Sequence, residues 1–439
     1  MNFIKEKEME SGPETGKETT TEVENAVTSV IEGAVEGAVE GATKAVKKPK
    51  TMYEISSWED EHLNLKDDLL RGIYAYGFEQ PSSIQKKAIY PFIYGINNKQ
   101  RDIIAQAQSG TGKTGCFAAG ALQMLDEKKK VPQVLILAPT HELARQIKFV
   151  IDQLSNYMDV KSLLLVGGVS IDENRKELNN NNPQVIVGTP GRVQDMIRRG
   201  YLQTGDMRLL ILDEADEMLS TGFKEQMGKI LQQMPESIKI GLFSATLSEE
   251  LLEVSKTFMI NPIKILVKNK ELTLQGIAQY YVNLNDDSGK YDTLKDIFST
   301  LTLSQSIIYC NSTRRVDDLE EAMLEDNFPV KKIHGKMSSD ERRRTNKEFK
   351  SGSCRVLITS DLFARGIDVQ QVSMVINFDI PKSEHTYLHR IGRSGRWGRK
   401  GIAINFQTKY DEGKLKQFEE YYNTQIEEMP SNYADHLNV

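Results

Sequence analysis

Leu209-Leu-Ile-Leu-Asp-Glu-Ala-Asp216 sets four apolar residues directly before three carboxylates. Such a run fits a strand buried on both faces of a parallel sheet, with its acidic end at the strand's carboxyl tip. Upstream, Asp102-Ile-Ile-Ala-Gln-Ala-Gln-Ser-Gly-Thr-Gly-Lys-Thr114 has the same apolar opening and then a Gly-rich turn that ends in Lys-Thr. The backbone N–H groups of such a turn, with one Lys, cradle β- and γ-phosphates. A hydroxyl and an Asp hold Mg²⁺, and a further carboxylate orients water. Either stretch alone is a modest signal; the two in this order predict a nucleotide hydrolase.

Outward from these stretches, apolar runs alternate with helical patterns, which predicts an α/β fold with parallel sheets. Strands are expected at Val134–Ala138, Ser162–Val166, Val185–Gly188, Leu209–Leu212 and Ile240–Phe243. A second series runs through Gln279–Val282, Ser306–Cys310, Val356–Thr359, Met374–Asn377 and Ile402–Phe406. The polar stretch between the series is read as a linker over 268–276, separating domains at 51–267 and 277–439. Residues 1–50, with the repeat Glu-Gly-Ala-Val at 32–39, have little to bury and are expected to be a disordered tail. Asn179–Pro183 is read as a surface loop. Pro139-Thr140, Gly167-Gly168, Thr189-Pro-Gly-Arg192, Asp213–Asp216 and Ser244-Ala-Thr246 each follow an apolar run. They fall at carboxyl ends of strands, where open parallel sheets bind ligands.

At 439 residues, two α/β domains and a tail are the natural division. No apolar run approaches the length of a membrane helix, and Met1–Glu8 lacks the apolar core of a secretory signal. The three cysteines, Cys116, Cys310 and Cys354, have no paired spacing; they fit neither a disulfide framework nor a zinc site and point to a reducing compartment. The cytoplasm is expected, with the nucleus as the alternative. The net charge is −6, and residues 1–50, with 7 Lys and 10 Glu, hold −3 of it. That balance does not advertise nucleic acid, but a basic groove can be local. Arg342-Arg343-Arg344 and the series Arg390, Arg393, Arg396, Arg399, Lys400 are such clusters.

The chain resembles the DEAD-box RNA helicases, and within them the translation initiation factor 4A group. The resemblance runs from Trp58 to the C-terminus. It rests on Gly77-Phe-Glu-Gln-Pro-Ser-Ser-Ile-Gln85, Ala107–Thr114, Pro139-Thr-His-Glu-Leu-Ala144, the turns named above, Ala364-Arg-Gly-Ile-Asp-Val369 and His389-Arg-Ile-Gly-Arg-Ser-Gly-Arg396. Leu69–Phe78, Glu271–Gly276 and Gln425–Pro430 resemble signatures of the subgroup. The resemblance implies two tandem RecA-like domains that close on ATP and single-stranded RNA.

Roles follow residue by residue from that resemblance. Ala107, Gln108, Ser109, Gly110, Thr111, Gly112, Lys113 and Thr114 form the phosphate loop, with Thr114 and Asp213 on Mg²⁺ and Glu214 on the attacking water. Trp58 stacks on the base, Gln85 reads the adenine edge, and Gly366 and Asp368 lie at the ribose. Arg393 and Arg396 are arginine fingers. Asp216, Ser244, Thr246, His389 and Arg390 couple the domains. Thr140, Gly168, Thr189, Gly191 and Arg192, with Asn311, Arg342, Thr359 and Ser360, contact RNA through its sugar-phosphate backbone, which carries no sequence information. The chain departs from the family at Trp58 for Phe, His141 for Arg, Lys336 for Asp, Ser339 for Gln and Ser360 for Thr.

The sequence thus predicts a monomeric ATP-dependent RNA helicase that separates short duplexes, with partners of the initiation-factor type and no membrane. An ATP-gated RNA clamp serving as an assembly platform is the alternative. A catalytically dead scaffold is opposed by Lys113, Glu214, Arg393 and Arg396. A duplex-DNA translocase would lack preference for the ribose 2′-OH.

Overall fold

A parallel strand covered on both faces must be apolar along its whole length, and the central strands here are fully buried. The computed structural model describes residues 53–96, 99–107, 110–219, 223–266, 277–300, 305–361, 372–394 and 401–430. In its first half, β1 (Ile103–Gln106), β2 (Val134–Leu137), β3 (Ser162–Leu165), β4 (Val185–Gly188), β5 (Leu209–Asp213), β6 (Lys239–Ser244) and β7 (Ile263–Leu266) form one sheet, in the order β3-β4-β2-β5-β6-β1-β7. In its second half, β8 (Ile277–Leu284), β9 (Ser306–Cys310), β10 (Val330–Ile333), β11 (Val356–Ser360), β12 (Met374–Asn377), β13 (Gly401–Thr408) and β14 (Glu427–Glu428) form another, in the order β10-β11-β9-β12-β13-β8-β14. Every pairing is parallel. Counted from its own first strand, each sheet has the same order, so one topology is used twice in tandem. The two sheets belong to a single contact unit.

Alternation along each strand divides the core into layers. Leu209 and Ile211 of β5 pack with Phe117 and Ile147, whereas Leu210 and Leu212 pack with Met218, Met227 and Ile230. Ile308 of β9 joins the cluster with Leu294 and Val316, and Ile307 and Tyr309 join the one with Phe349. Truncating one of these, Leu210 for instance, costs about 2–5 kcal/mol. The three cysteines are free and buried. Among the described residues, no helix is long and apolar enough to cross a membrane.

Three strands were not legible as apolar runs. β7 alternates buried and exposed residues, β10 is Val-Lys-Lys-Ile, and β14 is two exposed glutamates. All three lie at sheet edges or next to one, where one face or end is left to solvent. The expected Asn179–Pro183 loop is corrected. Ile171–Asn181 is a helix, and Asn182, at φ 45°, takes the left-handed position that ends it before Pro183. The tail 1–50 and the linker 268–276 lie outside the described residues.

Candidate nucleotide-binding and interlobe site

β1 delivers the phosphate loop. Gly110 and Gly112 have φ 82° and 104°, a left-handed backbone that glycine adopts without Cβ strain. Gly112 then caps the helix Lys113–Met124, whose free N–H groups and dipole favour an anion at this turn. Ala107 donates its N–H to the Ser244 carbonyl at 3.0 Å, tying the loop to β6. Thr111 is exposed and Thr114 half-buried; Gln108 and Ser109 lie outside the described residues. Lys113 is only 5% exposed, and its Nζ sits 3.4 Å from Glu214 Oε1. The two stretches on which the hydrolase reading turned are therefore in contact.

Gln85 supports this loop from behind. Its Oε1 accepts the Ser82 N–H at 2.7 Å, starting the helix Ser83–Tyr94, and its Nε2 donates to the Gly112 carbonyl at 3.1 Å. A Cβ at Gly115 would lie 2.7 Å from both Gln85 Nε2 and Phe78 Cε2, so an amide and an aromatic ring line that turn. Phe78 lies within the stretch Gly77–Gln85, and sequence reasoning alone does not single it out. The expectation for Trp58 is corrected: it is 1% exposed, belongs to the core and stacks behind Phe78 with ring centroids 6.5 Å apart. Its faces are spent on protein packing, and Phe78 is the half-buried aromatic beside Gln85 and Gly115.

The acidic tip of β5 fans its carboxylates apart. Asp213 ends the strand, 2% exposed, and accepts the Glu214 N–H at 3.0 Å. Burial pushes its pKa up to about 7 against the pull of the Lys113 ammonium, and the Glu214 charge adds to the rise. Glu214 takes φ 49°, so its side chain leaves in a different direction and meets Lys113. Asp216 turns toward β6: Oδ1 accepts Ser244 Oγ at 2.9 Å, and Oδ2 accepts Thr246 Oγ1 at 2.8 Å. Asp216 Oδ2 also lies 2.9 Å from His389 Nε2, on the helix Glu384–Ile391 of the second half. One carboxylate thus joins two strand tips of the first lobe to a helix of the second.

Arg390, expected to couple the lobes, is corrected. It is fully buried, and its guanidinium donates to Asp361, to Asn311 Oδ1 (2.7 Å), to the Asp379 carbonyl (2.7 Å) and to Asn377 Oδ1 (3.2 Å). These partners all belong to the second lobe, and a charge so deep must be held by its own surroundings. Arg393 is 5% exposed, and its Nε donates to the His389 carbonyl at 3.2 Å. Arg396, Gly366 and Asp368 lie outside the described residues.

Of the candidate RNA contacts, Gly168 and Gly191 present exposed backbone, and a Cβ at Gly191 would meet nothing within 4 Å. Thr140 caps the helix His141–Leu154, accepting the Leu143 N–H at 3.2 Å, and Thr189 holds the N-cap position of Pro190–Arg198 without a side-chain capping bond. Arg192 is tied to Asn174 and to the Val169 carbonyl, the latter at 2.7 Å, so it also braces the turn that carries Gly168. Asn311 is exposed, with its N–H on Asp379 Oδ2 at 2.9 Å. Thr359 is corrected: it is wholly buried in β11 with its hydroxyl donated to the Ile333 carbonyl at 2.8 Å, and it faces no groove. Ser360, next along the strand, is 6% exposed.

Arg342 Nη1 lies 3.8 Å from Glu142 Oε1, a second ion pair between the lobes, and Arg145 Nη1 lies 3.8 Å from the same oxygen. His141 sits beside them. Burial and the charges of Arg342, Arg145 and Arg192 push its pKa down to about 4. Glu142 and Arg145 were not singled out from sequence. The signal was present in the spacing, because Arg145 stands one helical turn after His141.

A DEAD/DEAH box helicase model matches residues 82–254 and a helicase conserved C-terminal domain matches 289–398, one on each sheet. The chain is 51% identical over 386 residues to the ATP-dependent RNA helicase eIF4A of Kluyveromyces lactis, covering 88% of this chain and 96% of that one. It is 51% identical over 381 residues to eukaryotic initiation factor 4A of Caenorhabditis elegans, covering 87% and 93%. Among solved structures, S. cerevisiae Dbp5 bound to RNA and ADP BeF3 superposes with a TM-score of 0.80 at 33% identity, over 87% of this chain and 98% of that one. That superposition carries the fold as two tandem RecA-like units. With both models in order on the repeated sheets and half the residues shared with full-length relatives, the chain belongs to the DEAD/DEAH box helicase family.

Proposed function

We propose that this chain is an ATP-dependent RNA helicase of translation initiation, which separates short duplexes locally by closing two lobes on ATP and single-stranded RNA. The observation that carries the reading is the Asp216 cluster. A carboxylate two residues from the water-orienting position reaches Ser244, Thr246 and His389 together. Hydrolysis chemistry and lobe closure therefore share one side-chain network.

In this reading the loop 107–114 receives the phosphates, and Lys113 exchanges Glu214 for their oxygens. Glu214 then orients or deprotonates the attacking water. Gln85 and Phe78 line the base side, and Gly366 and Asp368 the ribose. Arg393 and Arg396 supply charge from the second lobe, so turnover requires closure. The donor set fits Mg²⁺: Asp213 is a buried carboxylate crowded by Glu214 and Asp216, and Thr114 adds a hydroxyl oxygen at the adjoining helix start. When bound, the cation would neutralise phosphate charge. Thr140, Gly168, Gly191, Arg192, Asn311, Arg342 and Ser360 hold the RNA backbone, with His141 and Arg145 beside them. The protein acts as a monomer in the cytoplasm with initiation-factor partners.

The test is steady-state ATP hydrolysis with single-stranded RNA, with single-stranded DNA and without nucleic acid, with Glu214→Gln as control. Stimulation by RNA alone, lost in the variant, supports the reading. ATP and RNA binding without turnover would make the chain a clamp instead.

A further inference from the structure

Three adjacent strands in the middle of the second sheet carry amides where a covered sheet face ordinarily carries apolar side chains. They are Asn377 on β12, Asn405 on β13 and Gln279 on β8, at 0%, 0% and 4% exposure. Asn377 pairs in register with Asn405, and Gln279 stands two residues before Asn405's other partner, Tyr281. The three side chains therefore share one face. Above them runs the helix Glu384–Ile391, whose Tyr387 and Arg390, three positions apart, point down at the amides.

The bonds form an unbroken chain. Arg390 Nη1 donates to Asn377 Oδ1 at 3.2 Å, and Asn377 Nδ2 to Asn405 Oδ1 at 2.8 Å. Asn405 Nδ2 reaches Tyr387 Oη at 3.3 Å, Tyr387 Oη donates to Gln279 Oε1 at 2.8 Å, and Gln279 Nε2 donates to Thr424 Oγ1 at 2.8 Å. The Tyr387 ring stacks on Phe418 at 5.0 Å. At the other end Arg390 holds Asp361, the residue before the segment that carries Gly366 and Asp368.

A row of amides under a helix costs stability unless each is bonded, because an unpaired buried amide loses its water and gains nothing. An apolar face would tolerate a helix that rolls or slides; this one does not. Turning the helix by one residue takes Tyr387 and Arg390 off the row together, so that Asn377 Oδ1 and Gln279 Oε1 lose their buried donors, while Asn405 Nδ2 keeps only its 2.9 Å bond to the Tyr280 carbonyl. The same turn would swing His389, which lies between them in sequence and bonds Asp216 of the first lobe at 2.9 Å.

We propose that Gln279, Asn377, Asn405 and Tyr387 are positioning residues, a lock on the rotation of helix Glu384–Ile391 that aims His389 at Asp216 and presents Arg393 for ATP hydrolysis. The proposal rests on the helicase reading above and names a second set of residues on which the same reaction depends. Buried polar groups here secure one geometry at a cost in stability, and stability and activity should separate when they are removed.

The test compares the full native chain, Tyr387→Phe and the fourfold variant Q279L/N377L/Y387F/N405L, in RNA-stimulated ATP hydrolysis well below each thermal midpoint. Tyr387→Phe keeps the stacked ring and deletes one hydroxyl. Its kcat should fall about tenfold while KM for ATP, set largely by the first lobe, moves less than about twofold. The fourfold variant replaces both sides of most bonds and leaves Arg390 on Asp361, Asn311 and the Asp379 carbonyl. Its thermal midpoint should equal or exceed the native one while its kcat stays depressed. Native turnover beside an equally active fourfold variant overturns the lock alone, and so does failure of both variants to fold. A native chain without RNA-stimulated turnover overturns the helicase reading instead.

Discussion

Glu214 is a non-glycine residue held at φ 49° at the exit of β5. Such a conformation costs on the order of 1–2 kcal/mol and persists where the surroundings demand it. Here it separates the carboxylates of Asp213, Glu214 and Asp216, sending that of Glu214 to Lys113 and that of Asp216 to His389. Glu214→Gln retains the backbone and loses the anion. Its kcat should drop at least about 100-fold with folding stability changed by under about 1 kcal/mol, as turnover and urea unfolding together would show. His141 gives a second residue-scale expectation. Its folded pKa, about 4, lies below the ordinary histidine value. Between the two the unfolded chain takes up the proton and the native one does not, so this residue makes stability fall as pH drops from about 6.5 toward 4. Urea midpoints across that window should slope less in His141→Gln than in the native chain; parallel slopes would refute the assignment. At this scale the carboxylates were legible because acidic residues directly after a four-residue apolar run have few other places to go. Trp58, Thr359 and Arg390 were not, because which way a side chain faces is decided by what packs against it. Each has the right residue type at the right spacing, and each is spent on the interior.

The start of helix Ser83–Tyr94 shows how an element can serve the site through the loop it braces as well as through the ligand it faces. Gln85 closes a capping box with Ser82 and, through its amide nitrogen, holds the Gly112 carbonyl in the phosphate loop. Gln85→Leu fills similar space but leaves the Ser82 N–H and the Gly112 carbonyl without that partner. Two lost bonds of this kind cost roughly 2 kcal/mol. The loss should appear as a lower urea midpoint and a KM for ATP raised by about tenfold or more. A raised KM at unchanged stability would assign Gln85 to the base alone. Elements were legible where burial on both faces made them apolar throughout, as for β2, β4, β5 and β9. β7 and β10 escaped because an edge or a half-covered strand can afford lysines. β14 escaped because backbone pairing to Tyr280 and Tyr281 makes it a strand with no apolar residue of its own.

At the scale of the whole molecule, the repeated strand order makes two similar lobes, and function lies in what crosses between them. No motif lies in residues 1–48, so deleting them should leave RNA-stimulated ATP hydrolysis within about twofold of native; a large loss would give that segment a part in the reaction. Among the described residues, polar links that cross the seam include Asp216 to His389 at 2.9 Å and Glu142 to Arg342 at 3.8 Å. The first is short and almost fully buried, whereas the second exceeds hydrogen-bond length, so the first should dominate closure. A hydrogen bond to a charged group contributes about 1.5–3 kcal/mol, which corresponds to roughly 10- to 150-fold in a closing equilibrium. Asp216→Ala removes this link and also unbinds Ser244 and Thr246, while His389→Ala removes the link and leaves the Ser244 and Thr246 bonds to Asp216 in place. If closure limits turnover, each variant should lower RNA-stimulated kcat by at least about tenfold, and the double variant should be little worse than Asp216→Ala. Fluorescence transfer between dyes on the two lobes, with RNA and a non-hydrolysed ATP analogue, should report the closed population falling in parallel. Full closure in His389→Ala would mean that the seam is held elsewhere. Additive losses in the double variant would mean that Asp216 and His389 act in separate steps.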